Sequence, residues 1–76
     1  MSRMADGGNL DALRRMGNLY YDGVAVKKDY AEALKWYEKC AKLGDAWCRM
    51  RCGEMYRDGK GTENNLDAAM HYFLMR

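Results

Sequence analysis

The sequence predicts an all-α protein, an α/α solenoid of antiparallel helix hairpins. Three observations carry that prediction. Landmark residues recur at a spacing of about 36, apolar residues fall at helical spacing inside each repeat, and the chain holds 8 Gly but no Pro and no long β-branched run. Self-similarity at a fixed period marks an array in which each unit buries its face against the next.

The register is read from single residues. Gly17 falls on Gly53, Tyr20 on Tyr56, Asp22 on Asp58, Gly23 on Gly59 and Ala33 on Ala69. The other pairs are mild exchanges: Leu19 with Met55, Tyr30 with Leu66, Leu34 with Met70, Trp36 with Tyr72, Tyr37 with Phe73. Ala41 and Gly44 fall on Ala5 and Gly8. Residues 1–8 thus read as the tail of a preceding repeat, 9–44 as repeat one, and 45–76 as repeat two, truncated at its C-terminal end. The 76 residues make a single repeat domain.

Each repeat reads as two helices. In the first, Ala12, Leu13, Met16, Gly17 and Tyr20 recur on one face, and Gly23 suits the left-handed turn after a helix. Asp29 with Glu32 has the spacing of a capping box, so a second helix starts there. Its stripe is Tyr30, Ala33, Leu34, Tyr37, Cys40 and Ala41, closed by Gly44. The third helix carries Cys48, Cys52, Met55 and Tyr56. The fourth carries Leu66, Ala69, Met70 and Phe73, capped by Asn65. Small residues on the stripes allow close helix approach, and the aromatics Tyr20, Tyr30, Trp36, Tyr37, Tyr56, Tyr72 and Phe73 are expected mostly in the core.

These residues resemble the Sel-one-like repeat, a relative of the tetratricopeptide repeat. The pattern appears as Ala12, Met16-Gly17, Tyr20, Gly23, Val26, Asp29, Ala33, Trp36-Tyr37, Cys40-Ala41 and Gly44, and it covers nearly the whole chain. The resemblance implies stacked helical hairpins whose concave face binds other proteins, a scaffold or adaptor without catalysis; fold by itself names no partner. Two departures matter. Ala25 stands where the second repeat keeps Gly61, and Thr62 and Glu63 replace the usual loop residues, so the second loop is expected to be less well anchored. Some cysteine-rich members are similar in stapling adjacent helices with cysteines eight apart. Cys40 and Cys48 have that spacing, although the family pair falls one position later, at Ala41 and Arg49 here. One residue is a turn of about 100° on a helix. A Cys40–Cys48 disulfide and a pair of buried free thiols therefore both stand as readings.

The composition limits the function. Thirteen basic against 11 acidic residues give a net charge of +2, too weak to point to nucleic acid or an anionic membrane. No segment reaches the roughly 18 apolar residues of a membrane span. Met1 to Asn9 has no apolar core of a secretory signal, so the expectation is cytoplasmic if Met1 is the natural start. No cofactor or metal is expected, because Cys40, Cys48 and Cys52 lack a convincing fourth ligand and His71 is the only His. Asp58 to Thr62 fails as a calcium loop, and Gly59-x-Gly61 follows a helix rather than a strand. No catalytic constellation is present, so an enzyme or small-ligand protein on the same fold is the alternative reading.

Partner-binding candidates lie off the stripes. Trp47 stands where repeat one has Asp11, Met50 where it has Arg14, and Tyr21 where repeat two has Arg57. Trp47, Met50, Tyr21 and Arg14 form the candidate set, since Trp, Tyr and Arg carry much of the energy at interfaces. The last helix ends on Leu74 and Met75, where repeat one has Glu38 and Lys39. That apolar end suggests either a longer array or self-association through the uncapped helix.

Overall fold

A computed structural model describes residues 10–74, so the tail assigned to 1–8 and the position of Met75 lie outside the described residues. Four helices follow one another: α1 (Leu10–Asp22), α2 (Tyr30–Lys42), α3 (Ala46–Asp58) and α4 (Leu66–Leu74). Consecutive helices pack together, α1 on α2, α2 on α3 and α3 on α4. There is no strand among the described residues, and the architecture is the all-α helical repeat solenoid that the 36-residue register predicts.

Local chemistry sets the helix ends. Asp29 caps α2, its carboxylate accepting from Glu32 N at 3.2 Å. The capping box is one-sided, however. The Asp29 N–H donates to Tyr20 O at 2.9 Å, and Glu32 turns outward to Lys35. Asn65 N donates to Tyr56 O at the same 2.9 Å, so both hairpin loops dock through equivalent backbone bonds. Asn65 caps α4 through Ala68 N. Asp45 caps α3, accepting from Trp47 N at 2.8 Å and Cys48 N at 3.2 Å. Each cap satisfies N–H groups that the first helical turn leaves unpaired.

The core lies between the two hairpins. Leu13, Ala33, Leu34, Tyr37, Cys40, Ala41, Cys48, Cys52 and Met55 form one buried cluster. Small residues decide how closely the helices approach. A Cβ added at Gly17 would stand 2.5 Å from the Tyr37 ring, and one at Gly53 would stand 2.5 Å from the Phe73 ring. Each hairpin is therefore a ring seated on a glycine, used twice. Ala12, placed among the small packing residues by its spacing, is exposed instead.

The second loop is better held than its sequence suggests. Lys60 Nζ donates to Tyr21 Oη at 2.9 Å, Asn64 Nδ2 donates to Arg57 O at 2.8 Å, and Lys60 N donates to Met55 O. Gly61, at φ 79°, packs under the start of α2, where an added Cβ would stand 2.5 Å from Tyr30 O. Ala25, its counterpart in the first loop, takes the same left-handed conformation at φ 68°. That costs an L-residue about 1–2 kcal/mol.

Candidate functional site

The first helices of the two repeats, α1 and α3, border a cleft of about 300 Å³ lined by Asp11, Arg14, Arg15, Asn18 and Trp47. Helical spacing explains the lining: positions 11, 14, 15 and 18 lie on one side of α1, and Trp47 opens the first turn of α3. Arg14 bridges the helices, with Asp11 at 3.1 Å on its own helix and Asp45 at 3.6 Å on the cap of α3. The Trp47 ring is 37% exposed, and its inner edge meets the buried Tyr37 in a T-shaped contact at 5.7 Å. Trp47 is thus both a packing residue and a surface residue.

A cation–aromatic cluster continues the same face. The Arg51 guanidinium lies 4.4 Å from the Tyr21 ring, 5.3 Å from Trp47 and 5.8 Å from Tyr37, with Glu54 as its ion-pair partner at 3.3 Å. Lys60 lies over Tyr21 and Tyr30 at 5.3 and 5.6 Å. Its bond to the Tyr21 hydroxyl raises the ammonium above its ordinary pKa, so both cations stay charged across the usual pH range. The buried Tyr37 hydroxyl donates to Asn18 Oδ1, tying α2 to the wall of the cleft. Burial is the main cause that pushes Tyr37 above the ordinary tyrosine value.

Of the four residues singled out from sequence, Arg14 and Trp47 line this cleft, and Tyr21 joins them through Arg51. Met50 does not. It lines a separate hollow of about 220 Å³ with Ala46, Arg49, Tyr72 and Phe73, between α3 and α4. Sequence reasoning missed Asn18, Arg51 and Lys60. Arg51 follows Trp47 by one helical turn, a spacing that could have flagged it. Lys60 belongs to a loop, and only the tertiary fold brings it to Tyr21.

The three cysteines are fully buried free thiols. The Cys40 thiol donates to Leu10 O at 3.6 Å, and Cys40, Asp45 and Cys48 bring their donor atoms within 4.8 Å of one another. Asp45 Oδ1 is committed to the α3 cap, and Arg14 lies beside Oδ2, so that carboxylate already has structural work. Burial, first of several causes, pushes all three thiols up, Cys52 to about 12. Raised thiols are poor nucleophiles.

A further polar cluster joins the repeats. Glu38 Oε2 on α2 accepts from Tyr56 Oη at 2.6 Å and from Tyr72 Oη at 3.1 Å, while the two rings stack at 5.7 Å with 13° between planes. The bond to Glu38, then burial, pushes Tyr56 up to about 12, and burial leads the rise of Tyr72. One carboxylate thereby ties repeat one to both helices of repeat two.

Paired helices stacked by a shared core, with a groove between the first helices of successive units, define a helical-repeat protein. The Sel1 repeat pattern matches residues 10–45 and 48–75, and the chain belongs to the Sel1 repeat family, whose repeats typically mediate protein–protein interactions and are generally non-enzymatic scaffolds. Its resemblance extends to the ERAD-associated E3 ubiquitin-protein ligase component HRD3A of Arabidopsis thaliana, 33% identical over 58 residues, 75% of this chain and 9% of that protein. Among solved structures, a Sel1 repeat protein of Oxalobacter formigenes superposes with a TM-score of 0.82 at 32% identity, over 86% of this chain and 27% of that one. The antigen c5321 of uropathogenic Escherichia coli, with an SLR fold, superposes at 0.84 and 34% identity, over 90% and 15%. The chain spans a small part of each of these relatives. No helix among the described residues is long and apolar enough to cross a membrane.

Proposed function

We propose that the chain is a protein-interaction module whose α1–α3 groove binds a peptide or protein segment. The observation that carries this reading is the cleft in which Arg14 and Asn18 face a half-open Trp47 ring. An indole backed by Tyr37 and Arg51 is a rigid apolar anchor that loses little freedom on binding. Arg14 and Asn18 around it offer hydrogen bonds that orient a backbone or a carboxylate. The Arabidopsis relative is named as a component of a ligase, a description that suits a part that docks rather than reacts.

The test is selection of peptides from a random library on the immobilised chain, followed by titration of the enriched peptides. Trp47→Ala and Arg14→Ala are expected to weaken binding by a factor of about ten or more, the usual loss at an interface anchor. Thermal stability should change little with Arg14→Ala, since its pair with Asp11 is exposed and its approach to Asp45 is a long 3.6 Å. Peptides that bind both variants as tightly as the parent would overturn the proposal.

A further inference from the structure

The cations along the α1–α3 face are not equally answered by carboxylates. Arg14 and Arg15 both pair with Asp11, and Arg14 also approaches Asp45. Arg51 pairs with Glu54 at 3.3 Å. Lys60 makes no ion pair among the described residues. Asp58, close to it in sequence, spends both carboxylate oxygens on Arg57, at 3.0 and 3.3 Å. What holds Lys60 is neutral: the Tyr21 hydroxyl at 2.9 Å and the faces of Tyr21 and Tyr30. An ammonium has three donors, so one hydrogen bond and two ring contacts leave part of its capacity unspent. The Arg51 guanidinium lies over the same Tyr21 ring at 4.4 Å. Two cations thus converge on one tyrosine, with Glu54 as the one carboxylate paired to either of them among the described residues. Like charges brought together in this way repel, and an added anion relieves them.

The cleft beside this pair makes the same demand. The half-open Trp47 ring lies 5.3 Å from the Arg51 guanidinium, so an apolar seat adjoins the two cations. Asn18 Oδ1 is taken by the Tyr37 hydroxyl, which leaves the amide N–H groups as the unspent part of that side chain. Arg14 and Arg15 carry donors alone. Asp11 and Asp45, the carboxylates nearby, are already held by these arginines. Such a wall fits carboxylate and carbonyl oxygens better than it fits a basic side chain. We infer that the groove selects acidic peptides, a carboxylate meeting Lys60 and Arg51 beside Tyr21 while a neighbouring apolar side chain rests on Trp47. The inference rests on the groove reading above and adds the partner's chemistry to it. An extended chain advances about 3.3 Å per residue, so the acid and the apolar group should lie within a few residues of each other.

Selection from a random peptide library at low salt tests the inference on the 76-residue chain itself. Enriched peptides should carry Asp or Glu within a few residues of an aromatic or large aliphatic residue. For the tightest of them, exchanging the acids for Asn or Gln should weaken binding about tenfold, the worth of a charged hydrogen bond. Lys60→Gln, shown to be folded by circular dichroism, should cause a similar loss for the acidic peptide and almost none for its amide form. Lys35→Gln removes the same charge from an exposed site on α2 and should alter neither titration. Added salt should weaken the acidic peptide more than the amide form, a readout that needs no variant to fold. Neutral or basic peptides that are enriched and lose affinity with Trp47→Ala would overturn the inference and leave the groove reading standing. An acidic peptide bound equally by the parent and by Lys60→Gln would also overturn it. Peptides indifferent to both Trp47→Ala and Arg14→Ala would overturn the groove reading and the inference together.

Discussion

Tyr37 and Phe73 occupy the same place in two copies of one motif, each seated on a glycine of the preceding helix. One is sealed from solvent and the other is not. The sealing comes from the next helix rather than from the hairpin itself, so a repeat of this kind is completed by its neighbour. The loops show the same dependence. Gly61 lies beneath α2 and has no room for a side chain, whereas Ala25 occupies the equivalent strained conformation and tolerates its methyl group. Position in the stack, more than local sequence, decides what each landmark contributes.

The largest expected effect comes from alkali, which acts on the junction between the repeats. Cys52 and Tyr56 are both raised to about 12 in the fold. Unfolded, they would titrate near 8.5 and 10. Because the folded values are higher, the unfolded chain loses its protons first as pH rises. Stability is therefore full below about pH 8.5 and declines as pH climbs towards 12. Melting temperature should be flat through neutral pH and fall steadily above about pH 9. A melting temperature unchanged up to pH 11 would contradict the burial of Cys52 and the bond between Tyr56 and Glu38.

Next in size is the contrast between the two rings. Tyr37→Ala removes a fully buried ring and is expected to cost about 3–5 kcal/mol, comparable to the whole stability of a domain this small. Phe73→Ala is expected to cost only about 1–2 kcal/mol, since much of that ring is already in water. Urea unfolding of the two variants measures the difference, and equal losses would erase the distinction between a covered and an uncovered repeat.

The loops differ in the sign of their effect, and the smallest change of all falls at Ala25. Gly61→Ala should cost about 2–3 kcal/mol, through left-handed strain and the close Tyr30 carbonyl. Ala25→Gly should stabilise by less than about 1 kcal/mol, because relief of strain is partly offset by the greater freedom of the unfolded chain. Thermal melts of the pair would show opposite signs. The same sign for both would mean that the two loops are not equivalent.

Much of the fold was legible in the sequence. Paired Gly, Ala and aromatic landmarks carry the register, and Asp29 and Asn65 mark helix starts by a mechanism that operates within a few residues. Other features depend on distant partners. Nothing local reveals that the Asp29 N–H bonds Tyr20 O rather than Glu32, or that Lys60 reaches Tyr21. The candidate site was half legible. Trp47 and Arg14 stand out because they break the repeat, whereas Met50 breaks it equally and faces the α3–α4 hollow. Residue type alone does not assign a helix face when the helix has neighbours on two sides.

The α1–α3 groove is the proposed meeting place of this protein and its partner. Chemical-shift mapping with the tightest library-selected peptide tests it most directly. Perturbed amides and side chains are expected to cluster at Arg14, Asn18, Tyr21, Trp47 and Arg51. Perturbations confined to α2 and α4, with the Trp47 indole signal unmoved, would contradict it.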